Sequence, residues 1–417
     1  MNHAKYYQCT ECAKSYPLTS IINLCPDCNR PLEVKLDLDN FNTHPQGWDG
    51  FNPDLHSMWR YGPLLPLDIN DAVDSQYILS LGEGFTPLIP LIKNATALSN
   101  NFNLYLKDEG QAHQGYGSNP TASFKDRGMS MAVSMARKAG INKVVVPTQG
   151  NAGDSLAEYA IHADMEVVVI MPDDTPMPIL GRVAALDRLY ENVTLDLVKG
   201  TIKEAGALMM EKYVPQGYFN MATFQEPGWR IEGKKTLGLE LAECETFGQW
   251  QLPDVVIYPT GGGTGILGMW KAFAELEALG MIDQQRPKII AVQSEQTAPV
   301  VKAFEAGLLD SRPVQPGLTL ATGLNVPGGV GHKRVLEIIK QSKGAAIAVS
   351  EEAIINNISI NYHDYGIWIC PEGAATVAAV DTAYAAGLIK TDDNVVVFNT
   401  GSFEKYLPNV KPYIHTH

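Results

Sequence analysis

Three clusters of residues in this chain have types and spacings that could do chemistry. The first is Ser123-Phe124-Lys125-Asp126-Arg127-Gly128, which follows Asn119-Pro120 and opens a helical run over 129–139. A lysine at a helix start, flanked by Phe124 and small residues, can have its ammonium desolvated and its pKa lowered, as a Schiff-base lysine requires. A surface lysine in a charged helix start fits the same pattern. The second cluster is Gly261-Gly262-Gly263-Thr264-Gly265, where a strand meets a helix. Backbone N–H groups at such a junction, with the helix dipole behind them, suit a phosphate. Ile266 and Leu267 follow where a P-loop would place lysine, and the spacing is not G-x-G-x-x-G. A single phosphate, such as that of a cofactor, therefore fits better than a nucleoside triphosphate or a dinucleotide. A tight structural turn is the alternative.

The third cluster is Cys9, Cys12, Cys25 and Cys28, two C-x2-C pairs twelve residues apart. Two such knuckles make a tetrahedral S4 site that suits zinc. Two disulfides, or a ribbon that has lost its metal, are the alternatives, and an intracellular chain disfavours disulfides. Four thiolates leave no open coordination position, so the metal would be structural. None of the nine histidines has a metal-pair spacing. Cys244 and Cys370 stand alone and are expected to be small buried residues.

The elements that must position these clusters alternate between apolar strands and amphipathic helices. Strands are expected over 143–148, 165–172, 255–260, 288–294 and 395–400, with helices from about Ala152 and over 266–279. Continuous β-branched runs separated by helices mean parallel strands buried on both faces. Several strands end in polar or glycine-rich turns, at 148–151, 260–263 and 400–401, and open α/β sheets bind ligands beyond their carboxyl ends. No repeat of 20 to 50 residues is apparent.

The chain has 417 residues with 46 acidic and 32 basic side chains, a net charge of -14. This length suggests two or three domains, and 45% hydrophobic residues exclude a disordered or fibrous chain. The acidic excess argues against a nucleic-acid partner. No run of signal-peptide length opens the chain, and the longest uncharged stretch, 313–332, is too rich in Gly and Pro for a membrane helix. A soluble, cytoplasmic protein with no membrane partner is expected.

Ser123-Phe124-Lys125-Asp126-Arg127-Gly128 closely resembles the pyridoxal-phosphate (PLP) lysine motif of threonine synthases and their relatives in the second fold type of PLP enzymes. The resemblance covers nearly the whole chain. It includes the cysteine ribbon, Ser57-Met58-Trp59-Arg60-Tyr61, Leu81-Gly82-Glu83-Gly84-Phe85-Thr86-Pro87-Leu88, the glycine turn, Pro371-Glu372-Gly373-Ala374-Ala375 and Thr400-Gly401. It implies an α/β fold with two open, mostly parallel-sheet domains of PLP fold type II and an N-terminal zinc ribbon. The expected boundaries are a ribbon over 1–38, a linker arm over 39–77, a large PLP-binding domain over 78–120 and 235–417, and a small domain over 121–234.

The resemblance also implies roles. Lys125 holds PLP and shuttles protons, with Phe124 beside it. Asn151 donates to the cofactor's phenolic oxygen, Gly261, Gly262, Gly263, Thr264 and Gly265 hold its phosphate, and Thr400 faces its ring nitrogen. Ser123, Thr148 and Gln149 lie where the substrate binds. Arg230, in Trp229-Arg230-Ile231-Glu232-Gly233-Lys234-Lys235-Thr236, grips a substrate phosphate; the alternative is an exposed ion pair with Glu232. The implied reaction converts O-phospho-L-homoserine and water to L-threonine and phosphate. The rivals are another type II PLP lyase or β-replacement enzyme, such as threonine dehydratase, diaminopropionate ammonia-lyase or cysteate synthase, and a catalytically silent scaffold. The implied partner is a small phosphorylated amino acid, and a homodimer is left open. Three departures from the family bear on the substrate. Its S-T-G-N reads Thr148-Gln149-Gly150-Asn151, the segment 110–118 is longer, and T-G-x-G-L-K reads Thr400-Gly401-Ser402-Phe403-Glu404-Lys405.

Overall fold

Runs of valine and isoleucine form the centres of two sheets, each in its own unit of a computed structural model that describes residues 3–39, 41 and 51–414. The first unit comprises Met1–Phe85 and Asn119–Thr236; the second comprises Thr86–Ser118 and Leu237–His417. The chain therefore crosses between units three times. Of the segment 39–77 expected as an arm, residues 40 and 42–50 lie outside the described residues.

In the first unit four parallel strands run in the order Val193–Val198, Glu166–Pro172, Lys143–Pro147, Phe219–Asn220. Val145 lies opposite Val168 on one side and Asn220 on the other. The helices Lys125–Lys138 and Asn151–His162 pack with this sheet, and their buried methionines, valines and alanines share one core with Trp59, Trp229 and ribbon residue Tyr7. The cysteine-bearing segment forms a small antiparallel sheet, Ser15–Tyr16, Ala4–Cys9, Leu32–Leu36.

A buried carboxylate ties the two motifs before the lysine helix to that helix. Glu83 accepts from Trp59 Nε1 (2.8 Å), Ser130 Oγ (2.7 Å), Tyr159 Oη (2.6 Å) and the Leu81 amide (2.8 Å). Burial pushes its pKa up, and these donors oppose the shift. The segments around Trp59 and Glu83 thus act as a brace for the helix that begins at Lys125.

In the second unit six strands run in the order Ala345–Val349, Lys288–Ser294, Val255–Pro259, Asn394–Asn399, Asn103–Asp108, Leu88–Pro90. The first five are parallel, and Leu88–Pro90 adds antiparallel at the edge. The expected strands are present within about two residues, and both mostly parallel sheets agree with the expected α/β class. Asn103–Asp108, Val193–Val198 and Ala345–Val349 are strands that the apolar runs did not announce. Cys370 is buried as expected, and its Sγ accepts from the Gly373 amide at the start of Pro371–Ala385. Cys244 is instead partly exposed. Among the described residues no helix is long and apolar enough to cross a membrane.

Candidate active site

Lys125 is the first residue of Lys125–Lys138, and Phe124 precedes it without a side-chain cap. Asp126 fixes the approach to this helix. Its carboxylate accepts from the Thr121 amide and hydroxyl, both 2.7 Å, and from Ser155 Oγ. Ser123 Oγ, fully buried two residues before the helix, makes no hydrogen bond. A buried hydroxyl without a partner is costly, and here it would serve a bound ligand next to Lys125.

A second helix, Trp229–Glu243, crosses the start of the lysine helix. A Cβ on Gly233 would lie 1.9 Å from the Arg127 carbonyl oxygen, so only glycine permits this approach. The crossing brings Arg230 and Lys234 to the Lys125 end. Lys125 Nζ lies 4.4 Å and Lys234 Nζ 4.9 Å from the Phe124 ring centroid. Lys234 is 0% and Arg230 2% exposed. Arg230 Nη1 donates to the Met221 carbonyl (3.2 Å) and Thr223 Oγ1 (3.0 Å), while its buried Nε makes no hydrogen bond. The exposed Arg230–Glu232 ion pair does not form: Glu232 pairs with Lys235 at 2.6 Å, both fully buried. Burial pushes the Lys234 pKa well down, helped by Lys125 and Arg230 and opposed by Glu226. Burial pushes the Glu226 carboxyl up against the pull of Arg230 and Lys234.

Thr148, Gln149 and Gly150 form the turn into Asn151–His162, whose first turn has no side-chain cap. Thr148 Oγ1 accepts from the Gly150 amide at 3.1 Å. The N-terminus of a 12-residue helix, led by a polar turn, can receive a carboxylate.

In the second unit, Val255–Pro259 leads through the glycine turn into Thr264–Ala278. Gly263 caps this helix at φ +85°, again with no side-chain cap. A Cβ on Gly261 would meet the Gly323 carbonyl at 2.4 Å, and one on Gly265 would meet Tyr258 Oη at 2.0 Å. Bare backbone, a left-handed cap and uncapped amides together fit a phosphate. His332 Nε2 donates to the Gly261 carbonyl (2.8 Å), and Ser311 Oγ bonds to Nδ1 (2.7 Å). Thr400 follows Asn394–Asn399 and is nearly buried, with Cys370 Sγ 3.9 Å from its hydroxyl.

The four N-terminal cysteines are free thiols whose sulfurs all lie within 4.8 Å of one another. Cys9 and Cys28 sulfurs are 3.4 Å apart, and Cys12 and Cys25 3.6 Å. These separations exceed a disulfide bond and approach the edge of a tetrahedral S4 site, about 3.8 Å for a metal–sulfur bond of about 2.3 Å. The knuckles are built alike. Ala13 and Asn29 are both left-handed at φ 57°, and their amides donate to the Cys9 and Cys25 carbonyls.

Ser123, Phe124, Lys125, Thr148, Gln149, Asn151 and Arg230 thus belong to the first unit, and residues 261–265 with Thr400 to the second. Lys234, Glu226 and His332 escaped the sequence reading. Gly233 and Gly238, which mark close packing along one helix, were the available signal that the lysines between them are not solvated. For His332 the sequence offers no comparable cue.

Residues 79–401 match the family model described as "Pyridoxal-phosphate dependent enzyme". The chain is 30% identical to threonine synthase of Methanocaldococcus jannaschii over 94% of its length and 91% of the relative's. It is also 30% identical to threonine synthase of Methanosarcina acetivorans, over 96% and 92%. Among solved structures, threonine deaminase isoform 2 of Solanum lycopersicum superposes with TM-score 0.64 at 22% identity, covering 83% of this chain and 95% of that one. A fungal L-serine ammonia-lyase from Rhizomucor miehei gives 0.61 at 18%, covering 78% and 98%. At such identities these neighbours speak for the fold, which is that of type II PLP enzymes. A family match across most of the chain and two full-length relatives at 30% identity lead to one conclusion: the chain belongs to the pyridoxal-phosphate dependent enzymes.

Proposed function

We propose that the protein is a threonine synthase, converting O-phospho-L-homoserine and water to L-threonine and phosphate. The observation that carries this reading is the likeness to threonine synthases over 94% of the chain. The buried guanidinium of Arg230 adds charge that suits a phosphorylated substrate.

When bound, PLP supplies an electron sink for carbanions at the substrate's α and β carbons. Lys125 Nζ holds the cofactor, then takes and returns the α proton. Asn151 orients the ring, Phe124 lies beside Lys125, and residues 261–265 bind the cofactor phosphate through backbone N–H groups. Thr400 would face the ring nitrogen, where a hydroxyl in place of a carboxylate would leave that nitrogen largely neutral. Ser123 Oγ, Thr148 and Gln149 hold the substrate carboxylate at the start of the helix Asn151–His162. Arg230 binds the leaving phosphate and neutralises charge as the γ carbon–oxygen bond breaks.

Cys9, Cys12, Cys25 and Cys28 hold one structural Zn2+, so that residues 1–38 form a zinc ribbon. The domain reading assigns PLP binding chiefly to 78–120 and 235–417, an arm to 39–77 and a smaller domain to 121–234.

The rival is a PLP lyase acting on serine or threonine, to which the altered turn Thr148-Gln149 would point. Incubating the holoenzyme with O-phospho-L-homoserine, L-serine and L-threonine separately decides between them. The reading expects threonine and phosphate in equal amounts from the first, with little ammonia from the others. Ammonia from serine or threonine, with no turnover of the phosphorylated substrate, would overturn it.

A further inference from the structure

The glycine turn assigned to the cofactor phosphate is itself held by an imidazole. His332, fully buried, is the first residue of the helix His332–Gln341. Its Nε2 lies 2.8 Å from the Gly261 carbonyl oxygen, and its Nδ1 lies 2.7 Å from Ser311 Oγ. A carbonyl only accepts, so Nε2 carries the proton, and Nδ1 of the neutral ring accepts from the Ser311 hydroxyl. Room for the ring comes from Gly329, where a Cβ would stand 2.6 Å from Nε2. One turn along the same helix, Val335 packs against the turn: its Cγ2 would lie 2.3 Å from a Cβ on Gly263. The segment 323–326 encloses Gly261 as well. A Cβ there would meet Val326 Cγ2 at 3.1 Å as well as the Gly323 carbonyl, and the Gly323 amide is fixed on Glu372 Oε1 at 2.7 Å.

The Gly261 carbonyl and the Gly262 N–H belong to one peptide unit. That unit is trans, so the two groups point in opposite directions. Holding the oxygen on His332 therefore turns the Gly262 N–H away from the imidazole. No backbone carbonyl of the described residues accepts from this amide. A peptide between two glycines can flip at low cost, because neither residue carries a Cβ. Flipped, it would present a carbonyl oxygen where a phosphate needs a donor.

We propose that His332 is a positioning residue for the cofactor phosphate. By holding the Gly261 carbonyl it keeps the Gly262 N–H aimed at the phosphate, and Ser311 fixes the ring tautomer that makes this grip. The proposal rests on the reading of residues 261–265 as the PLP phosphate site. His332 acts only through the peptide it holds, so its effect is confined to the phosphate end of the cofactor.

That confinement sets the test. Full-length apoprotein is titrated with PLP and, separately, with pyridoxal, which lacks the phosphate but can still react with Lys125. Wild type, His332→Leu, His332→Gln and Ser311→Ala are compared, and thermal melts report whether each variant folds. His332→Leu is expected to bind PLP at least about tenfold more weakly, with pyridoxal affinity within twofold of wild type. His332→Gln, whose amide can still donate to the carbonyl, should recover part of the loss. Ser311→Ala removes only the tautomer lock, at a half-buried position, and should weaken PLP about fivefold. It keeps the proposal testable if His332→Leu does not fold. The phosphorus NMR resonance of bound PLP should also move in these variants. PLP affinities within twofold of wild type, or equal losses for PLP and pyridoxal, would overturn the proposal. If wild type favours PLP over pyridoxal and the variants do so equally, His332 is excluded and the phosphate-site reading stands. A wild type that does not distinguish the two ligands removes that reading and the proposal with it.

Discussion

Arg230 is enclosed, and its guanidinium already serves the Met221 carbonyl and Thr223 Oγ1 through one nitrogen. Arg230→Ala should cut kcat/KM for O-phospho-L-homoserine by about 2–4 kcal/mol, as expected for a charge-assisted contact to a buried anion. Arg230→Lys should recover only part of that loss, because an ammonium presents no bidentate fork. PLP content should hardly change. Equal losses on phosphorylated and unphosphorylated amino acids would instead mark Arg230 as a purely structural residue. A second prediction concerns His332, whose Nε2–H holds the Gly261 carbonyl. Burial depresses its pKa below 6.5, outweighing the Gly261 carbonyl and Asp310. The unfolded chain then binds more protons between the two values. The contribution to stability is full above about 6.5 and is lost as pH falls through the depressed folded value. Urea midpoints should therefore decline in wild type below that pH, and His332→Gln should flatten this part of the profile. An unchanged profile in the variant would remove His332 from the account.

The lysine helix and the helix bearing Arg230 and Lys234 are set by the absence of one side-chain atom. Gly233→Ala forces a Cβ into the Arg127 carbonyl, so the helices must part. The expected cost is about 1–3 kcal/mol or more in urea unfolding, with a larger fall in turnover than in PLP content. The ribbon acts on the same region. Asn23 Nδ2 donates to the Asn220 carbonyl (3.0 Å) and to that of Gln225, Trp229 Nε1 donates to Tyr7 Oη, and Gly228 lies against the Leu32 carbonyl. These contacts hold the segment just before Arg230. Removing zinc with a chelator should therefore raise KM for the phosphorylated substrate by about tenfold, an energy of about 1.4 kcal/mol, while Lys125 still binds PLP. Purified protein with no zinc, or chelation without effect on KM, would contradict this. The lysine motif and the glycine turn were legible in the sequence because each is contiguous and its chemistry is local. The valine-rich strands were legible for the same reason. Asn103–Asp108 was not, because its Lys107 looks solvated until Glu240, 133 positions away, meets it at 2.6 Å. Ala345–Val349 is mostly alanine, which carries little strand signal. The Arg230–Lys234 cluster depends on a tertiary crossing that no local pattern announces.

At the scale of the molecule, the formal charge of -14 disfavours anions in general, and the buried guanidinium of Arg230 in the first unit is a local exception. Cofactor binding favours the folded state by mass action, so Tm should rise with added PLP and fall in apoprotein. Lys125→Ala should show a smaller rise, because the phosphate turn remains while the covalent link is lost, and it should not turn over. The most direct measurement is borohydride reduction of the PLP-loaded protein followed by peptide mapping in the mass spectrometer. The account predicts one reduced pyridoxyl group per chain, on Lys125. Modification of Lys234, of another lysine, or of none would contradict it.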